Sequence, residues 1–330
     1  MYSTPFHTRD ISGQAFLVTG GAGFVGSNLV EYLLKYKAGR VVVLDNLATG
    51  FEENIRPFLA LPNFEFIKGD ITRPEDCRKA CLGIQYVFHE AALGSVPRSI
   101  ENPLATHVTN ETGFIHLLLA AREAKVKRIV YASSSSVYGD ITDLPKTEDR
   151  IGKQLSPYAV SKRGNELYAE IFAKTYQMDI IGLRYFNIFG PRQNPQGAYA
   201  AAIPLFVQSL LKQQAPSING DGTQTRDFTF IENAVQANIR AMFSETVSGQ
   251  GDLFNVAVGE RVSLNELIAI LKKLIGTTVQ PFHRPDRPGD VKDSLADISK
   301  ACRMLGYDPV IKMEEGLTRT LAWFRKGIKD

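Results

Sequence analysis

A glycine-rich turn constrains this chain more than any other feature. Gly20-Gly21-Ala22-Gly23-Phe24-Val25-Gly26 follows directly on an apolar run, Ala15–Thr19, and leads into helical periodicity over Ser27–Tyr36. Gly20, Gly23 and Gly26 give the spacing G-x-x-G-x-x-G. Glycine removes a Cβ where backbone must approach a diphosphate or pack tightly on a sheet. The helix N-terminus behind it offers unpaired N–H groups and a partial positive charge. A tight strand-to-helix turn is the bland alternative, but strand, glycines and helix in this order read as a dinucleotide site.

The pattern repeats along the first half. Apolar runs at Arg40–Asp45, Phe64–Lys68, Tyr86–His89, Arg128–Ala132 and Ile180–Arg184 read as strands. Helical stretches fall at Pro74–Leu82, Asn110–Ala124 and Ser156–Tyr176. Strands alternating with helices mean βαβ units and a parallel sheet, and strands without polar alternation mean a sheet covered on both faces. The expected fold class is therefore α/β, a Rossmann-type doubly wound parallel sheet. After Arg184 the pattern loosens. Helices are expected at Ala201–Lys212, Glu232–Phe243, Ser263–Leu274 and Lys312–Gly327, with loops at Gly190–Gly197 and His283–Asp290. A chain of 330 residues is long for one domain. Residues 1–186 are expected to bind the dinucleotide, and 187–330 to form a smaller C-terminal α/β substrate domain, with a soft boundary and later chain crossings.

Composition removes several function classes. Lys and Arg number 38 against 35 Asp and Glu, a net +3 with no basic block, so no nucleic-acid partner is expected. Three cysteines cannot make a disulfide scaffold, and no His pair has metal-ligand spacing. No apolar run reaches the ~18 residues that span a bilayer, and the first residues lack a secretory apolar region. The expectation is a cytoplasmic protein with no metal and no membrane partner.

Asp45 ends the second strand. A carboxylate there accepts hydrogen bonds from a ribose 2′-OH and repels a 2′-phosphate, which favours NAD over NADP. Asp70-Ile71 follows the third strand and reads equally as an adenine contact or as a cap for the next helix. Tyr158 and Lys162 are four apart on a helix and share a face. A nearby ammonium and an oxidised nicotinamide both favour the phenolate, so Tyr158 is expected to have a lowered pKa and to act as a base. A helix-surface pair is the alternative. Ser133-Ser134-Ser135-Ser136 follows the fifth strand, at the sheet edge where ligands bind. A solvated serine loop is the plainer reading.

Taken together, these motifs make the chain resemble the extended short-chain dehydrogenase/reductases. The carriers are GGAGFVG, the serines before Val137-Tyr138-Gly139, and SPYAVSK with Tyr158 and Lys162. RYFNIFGPRQ, GDGTQTRDF and RPGD extend the resemblance over nearly the whole chain. Within that family it is most similar to the nucleotide-sugar 4-epimerases. Ala92–Ile100 and Gly197–Ala201 resemble the UDP-N-acetylhexosamine 4-epimerases of surface-polysaccharide pathways.

The resemblance implies a catalytic set of Ser134, Tyr158 and Lys162. It implies NAD contacts at Gly20, Gly23, Phe24, Val25, Gly26, Asp45, Asn46, Asp70, Ile71, Ala91, Asn110, Tyr158, Lys162 and Tyr185. On the substrate side it implies Gly94, Ser95, Ser134, Ser135, Ser136, Asn187, Arg226, Arg287, Asp290 and Ser294, with the arginines on a diphosphate. Ser135 and Ser136 stand where sugar dehydratases of the family carry acids, which argues against elimination of water. Ser294 stands where epimerases restricted to non-acetylated hexoses carry Tyr, and so leaves room for a 2-acetamido group. The implied reaction oxidises C4 of a UDP-sugar, turns the 4-keto sugar about its diphosphate and re-reduces C4 from the opposite face. The implied substrates are UDP-GlcNAc and UDP-GalNAc, and the implied assembly is a homodimer built from two helices per subunit, one bearing Tyr158. A UDP-N-acetylglucosaminuronic acid 4-epimerase, a net oxidoreductase and a non-enzymatic dinucleotide sensor are the alternatives.

Overall fold

The computed structural model describes residues 1–196, 201–285 and 292–326. Its first half runs β1 (Ala15–Thr19), α1 (Phe24–Lys35), β2 (Arg40–Asp45), β3 (Phe64–Lys68), α2 (Pro74–Cys81), β4 (Tyr86–His89), α3 (Val96–Glu101), α4 (Pro103–His107), α5 (Gly113–Glu123), β5 (Arg128–Ser134), α6 (Pro157–Tyr176) and β6 (Ile180–Tyr185). The second half runs β7 (Ile188–Phe189), α7 (Ala202–Leu211), β8 (Ser217–Asn219), β9 (Thr225–Arg226), β10 (Thr229–Phe230), α8 (Ile231–Phe243), β11 (Gln250–Val256), β12 (Val262–Ser263), α9 (Leu264–Ile275), β13 (Phe282–Arg284), α10 (Ser299–Leu305) and α11 (Met313–Lys326).

Seven strands form one sheet in the order β11-β6-β5-β4-β1-β2-β3. Every pairing in it is parallel. The order reverses between β1 and β4, which opens a crevice at the carboxyl ends of those two strands. The strands are apolar because helices cover both faces. Phe16, Val18, Val41 and Val43 pack into one buried cluster, and Leu17, Val42, Leu44 and Val87 into a second.

The expected α/β Rossmann-type sheet is present, with four differences. β11 is a seventh strand that the sequence reading left out, and it brings residues beyond 186 back to pair with β6. Val96–His107 holds two short helices where no element was expected. The expected helix from Asn110 starts as a π turn over Val108–Thr112 and is α-helical only from Gly113. The expected loop over His283–Asp290 begins with strand residues, because Phe282–Arg284 pairs in parallel with Ser217–Asn219. Backbone bonds from Phe282 N–H to the Pro216 carbonyl and from Gly220 N–H to the Arg284 carbonyl hold that pair. No helix among the described residues is long and apolar enough to cross a membrane.

Candidate active site

A cleft of about 630 Å³ lies along the carboxyl ends of β1, β2, β4 and β5. One end is the glycine turn. Gly20 has φ +69°, and a Cβ there would lie 2.6 Å from the Ala91 backbone nitrogen. A Cβ on Gly26 would lie 2.2 Å from the Gly20 carbonyl oxygen. These two positions need glycine so that α1 can start against the sheet. No side chain caps α1, and no acid lies in its first turn. Gly23, Phe24, Val25 and Gly26 line the cleft, so a helix end without a side-chain cap faces it.

Asp45 stands at the end of β2 in the same wall. Its two oxygens accept N–H bonds from Ala22 at 3.0 Å and Leu47 at 2.8 Å, which ties the acid to the glycine turn. Burial raises its carboxyl above the usual range, against those two bonds. Asn46 also lines the cleft and donates to Asp70 at 2.8 Å. Ile71 lines the cleft, but Asp70 does not. Asp70 accepts the Thr72 N–H, while Asp76 inside α2 reaches back to the Asp70 N–H. The residue capping α2 is Arg73, so Asp70 is not its cap.

The other end of the cleft holds Ser134, Tyr158 and Lys162. Ser156 caps α6 by accepting the Ala159 N–H at 3.2 Å, with Pro157 in the first helical position. That start fixes Tyr158 on the first turn and Lys162 one turn later. Ser134 is the last residue of β5, two residues beyond the expected strand end. Its oxygen accepts the Ser136 hydroxyl at 3.0 Å and the Ser136 N–H at 3.2 Å. Lys162 donates to the Ala132 carbonyl at 2.8 Å. The lowered Tyr158 pKa expected from Lys162 is not found in the protein alone. Burial raises the phenol, and only the hydrogen bond with Ser134 pulls it down. Lys162 is itself pulled down to about 8 by burial. Any activation of the phenol must therefore overcome the cost of burying its charge.

Ala91, Gly94, Ser95, Tyr185 and Asn187 complete the expected residues along the cleft. A Cβ on Gly94 would meet nothing within 4 Å. Ser95 caps α3 through the Arg98 N–H, and Arg98 enters the wall beside it. Asn187 sits at φ +34° and donates to the Asp227 carbonyl at 3.0 Å. Asn110 stands behind the wall. Its amide bonds the Leu93 N–H and carbonyl and the Ser161 hydroxyl, so it braces the 91–95 loop against α6. Ser135, Ser136, Arg226 and Ser294 do not line the cleft. Arg226 donates to the Thr225 and Lys292 carbonyls, and the Ser294 N–H donates to Thr225. Arg287, Asp290 and the 197–200 part of the Gly197–Ala201 signature lie outside the described residues.

Glu90 is the residue that sequence reasoning missed. It lines the cleft beyond the end of β4 and accepts the Tyr185 hydroxyl at 2.9 Å. Burial pushes its carboxyl up to about 8, against the Tyr185 bond and the Lys162 charge.

A cleft with an uncapped helix end, a strand-end acid and a Tyr–Lys helix pair fits a dinucleotide, and the comparisons agree. The model of the NAD dependent epimerase/dehydratase family matches residues 16–257. A UDP-glucose 4-epimerase of Mycolicibacterium smegmatis is 37% identical over 311 residues, covering 94% of this chain and 98% of that protein. The structure of a UDP-N-acetylglucosamine 4-epimerase from Methanobrevibacter ruminantium, in complex with UDP-N-acetylmuramic acid, superposes with a TM-score of 0.90 at 36% identity. That match covers 96% of this chain and 99% of the other. A UDP-glucuronic acid 4-epimerase from Bacillus cereus, in complex with UDP-glucuronic acid and NAD, has a TM-score of 0.89 at 32% identity, covering 95% and 99%. Fold, cleft and family match agree that this chain belongs to the NAD dependent epimerase/dehydratase family.

Proposed function

We propose that the protein is an NAD-dependent UDP-sugar 4-epimerase that interconverts UDP-GlcNAc and UDP-GalNAc. One observation carries the reading. Tyr158, whose phenol Ser134 pulls down and which lies one turn from Lys162, shares a single cleft with Ser134, the glycine turn and Asp45. The 4-epimerase relatives support the reaction class.

Gly20, Gly23 and Gly26 and the start of α1 are the residues to hold the NAD diphosphate, Asp45 its adenosine ribose, and Lys162 the nicotinamide ribose. Bound NAD supplies the acceptor, and then the donor, of the C4 hydride. Tyr158 takes the O4 proton and later returns it, with Ser134 sharing the hydrogen bond to O4. Ser136 donates both its hydroxyl and its N–H to the Ser134 oxygen, which leaves the Ser134 proton to serve Tyr158 and the substrate. Asn187, Arg226, Arg287 and Asp290 are proposed to anchor the UDP end. A fixed UDP and a roomy sugar pocket allow the sugar to turn over.

The open space at Gly94 supports an N-acetylated sugar; Ser294 lies off the cleft wall, and its part rests on the resemblance alone. A UDP-N-acetylglucosaminuronic acid epimerase is the second reading, favoured by Arg98 in the cleft wall, where a C6 carboxylate needs a cation. We also propose a homodimer through α6. Val160, Leu167 and Ile171 fall on one stripe of that helix and are 53%, 47% and 56% exposed. Such a stripe is unusual on a monomer. Residues 1–186 with β11 are taken as the cofactor part, and the rest of 187–330 as the sugar part. Turnover of UDP-GlcNAc by the purified protein, with Tyr158→Phe as control, tests the function.

A further inference from the structure

Lys162 has an unusual set of neighbours for a buried ammonium. Its one hydrogen bond among the described residues is to a neutral acceptor, the Ala132 carbonyl. Among the described residues it makes no ion pair. Glu166, one turn further along α6, is already engaged by Arg184 at 2.8 Å, Arg163 at 2.9 Å and the Ser133 hydroxyl at 2.7 Å. The remaining carboxyl is Glu90. His89 pairs with Tyr131 in the β4–β5 register, so the next residues on each strand, Glu90 and Ala132, lie side by side. The backbone that holds the ammonium is thus the neighbour of the acid.

Glu90 is held in place from the other side. Asn238 on α8 donates to the Tyr185 hydroxyl at 2.7 Å, and Tyr185 donates to Glu90 at 2.9 Å. Tyr185 from β6 bonds the acid and the Lys162 charge from α6 acts on it, while Tyr158 and Arg98 line the same cleft. His89 is kept neutral by burial and adds no charge.

We propose that Glu90 is the counter-charge that keeps Lys162 an ammonium, so that an acid beyond β4 and an amine on α6 titrate as one unit. Glu90 is a positioning residue here, acting through Lys162. The proposal rests on the acid–base reading above only for its effect on turnover. The sign is fixed by charge. Burial pulls the amine down, and a carboxylate beside it is the largest influence raising it again. When Glu90 ionises, Lys162 stays protonated to higher pH. A neutral, isosteric Gln keeps the place of the acid but removes that support.

The test uses Glu90→Gln in the full-length enzyme, with circular dichroism at pH 6.0 confirming the fold. The first readout is the Lys162 ε-carbon resonance in protein carrying 13C-labelled lysine, assigned by its loss in Lys162→Met. Its titration midpoint should fall by about one pH unit in Glu90→Gln. The second is the ratio of kcat at pH 8.5 to kcat at pH 6.0, which should drop about tenfold against the unmodified enzyme. An unmoved or raised midpoint overturns the proposal. If the midpoint falls while Lys162→Met still turns over substrate, the Glu90–Lys162 unit stands and the acid–base role of Lys162 fails.

Discussion

Lys162 donates its ammonium to the Ala132 carbonyl at 2.8 Å, which locks the helix that carries Tyr158 to the end of β5. The amine therefore both bears charge and sets the distance between α6 and the serines. Lys162→Met and Tyr158→Phe are each expected to lower kcat by about 10²–10⁴, the range for a removed acid–base group. Steady-state assays beside unchanged far-ultraviolet circular dichroism check this.

Ser134 both caps the turn after β5 and pulls the Tyr158 phenol down. Ser134→Ala should cost about tenfold to a hundredfold in kcat, the worth of one charge-assisted hydrogen bond. KM should change little if that bond strengthens in the transition state. A KM effect alone, at unchanged kcat, would assign Ser134 to binding.

Two glycines of the cleft should behave in opposite ways. Gly26→Ala puts a Cβ 2.2 Å from a backbone oxygen, which cannot move without shifting the turn. It should cost at least about 2 kcal/mol in denaturant unfolding and release NAD on gel filtration. Gly94 has open space, so Gly94→Leu should leave the melting temperature within a degree or two. It should lower kcat/KM for UDP-GlcNAc relative to UDP-glucose by at least about tenfold. Ser294→Tyr is expected to shift the same ratio in the same direction.

His89 sets part of the acid limit of stability. Burial pulls its imidazole down to about 3, with the Lys162 charge adding to the effect. The unfolded chain binds that proton near pH 6.5. The contribution is therefore present above pH 6.5 and lost as pH falls toward 3. His89→Phe gives up the bond to Thr19 at 2.7 Å but should flatten the fall in melting temperature across that window. An unchanged slope would mean that other groups carry it.

The stripe on α6 gives a test of assembly. Val160→Glu combined with Ile171→Glu should turn a dimer into a monomer in sedimentation velocity, because each charge would be buried in the contact. A dimer that survives both changes must form through another face.

The parts of the fold that could be read from sequence are those whose signal is local. Ala15–Thr19 and Arg40–Asp45 are apolar because both faces are covered, and their bounds are those of β1 and β2. The glycine turn needs its residue type at each position, so its place in the cleft followed from spacing. β11 was missed because Gln250-Gly251-Asp252 gives its first half a loop-like composition, although Phe254 and Val256 are buried against β6. Pro97 and Pro103 hid two short helices by breaking any run of periodicity. Glu90 could not have been found locally. Its meaning lies in Tyr185 and Lys162, which only the fold brings to it. The Tyr158 pKa went astray for the same reason, since a four-residue spacing reports a neighbouring charge but not how deeply the phenol is buried.

The most direct test of the account is product analysis after the purified protein is incubated separately with UDP-GlcNAc, UDP-glucose and UDP-N-acetylglucosaminuronic acid, with NAD⁺ added. The account predicts UDP-GalNAc as the fastest-formed product, with no net NADH at 340 nm. Steady accumulation of NADH, or conversion of the uronic sugar alone, would contradict it.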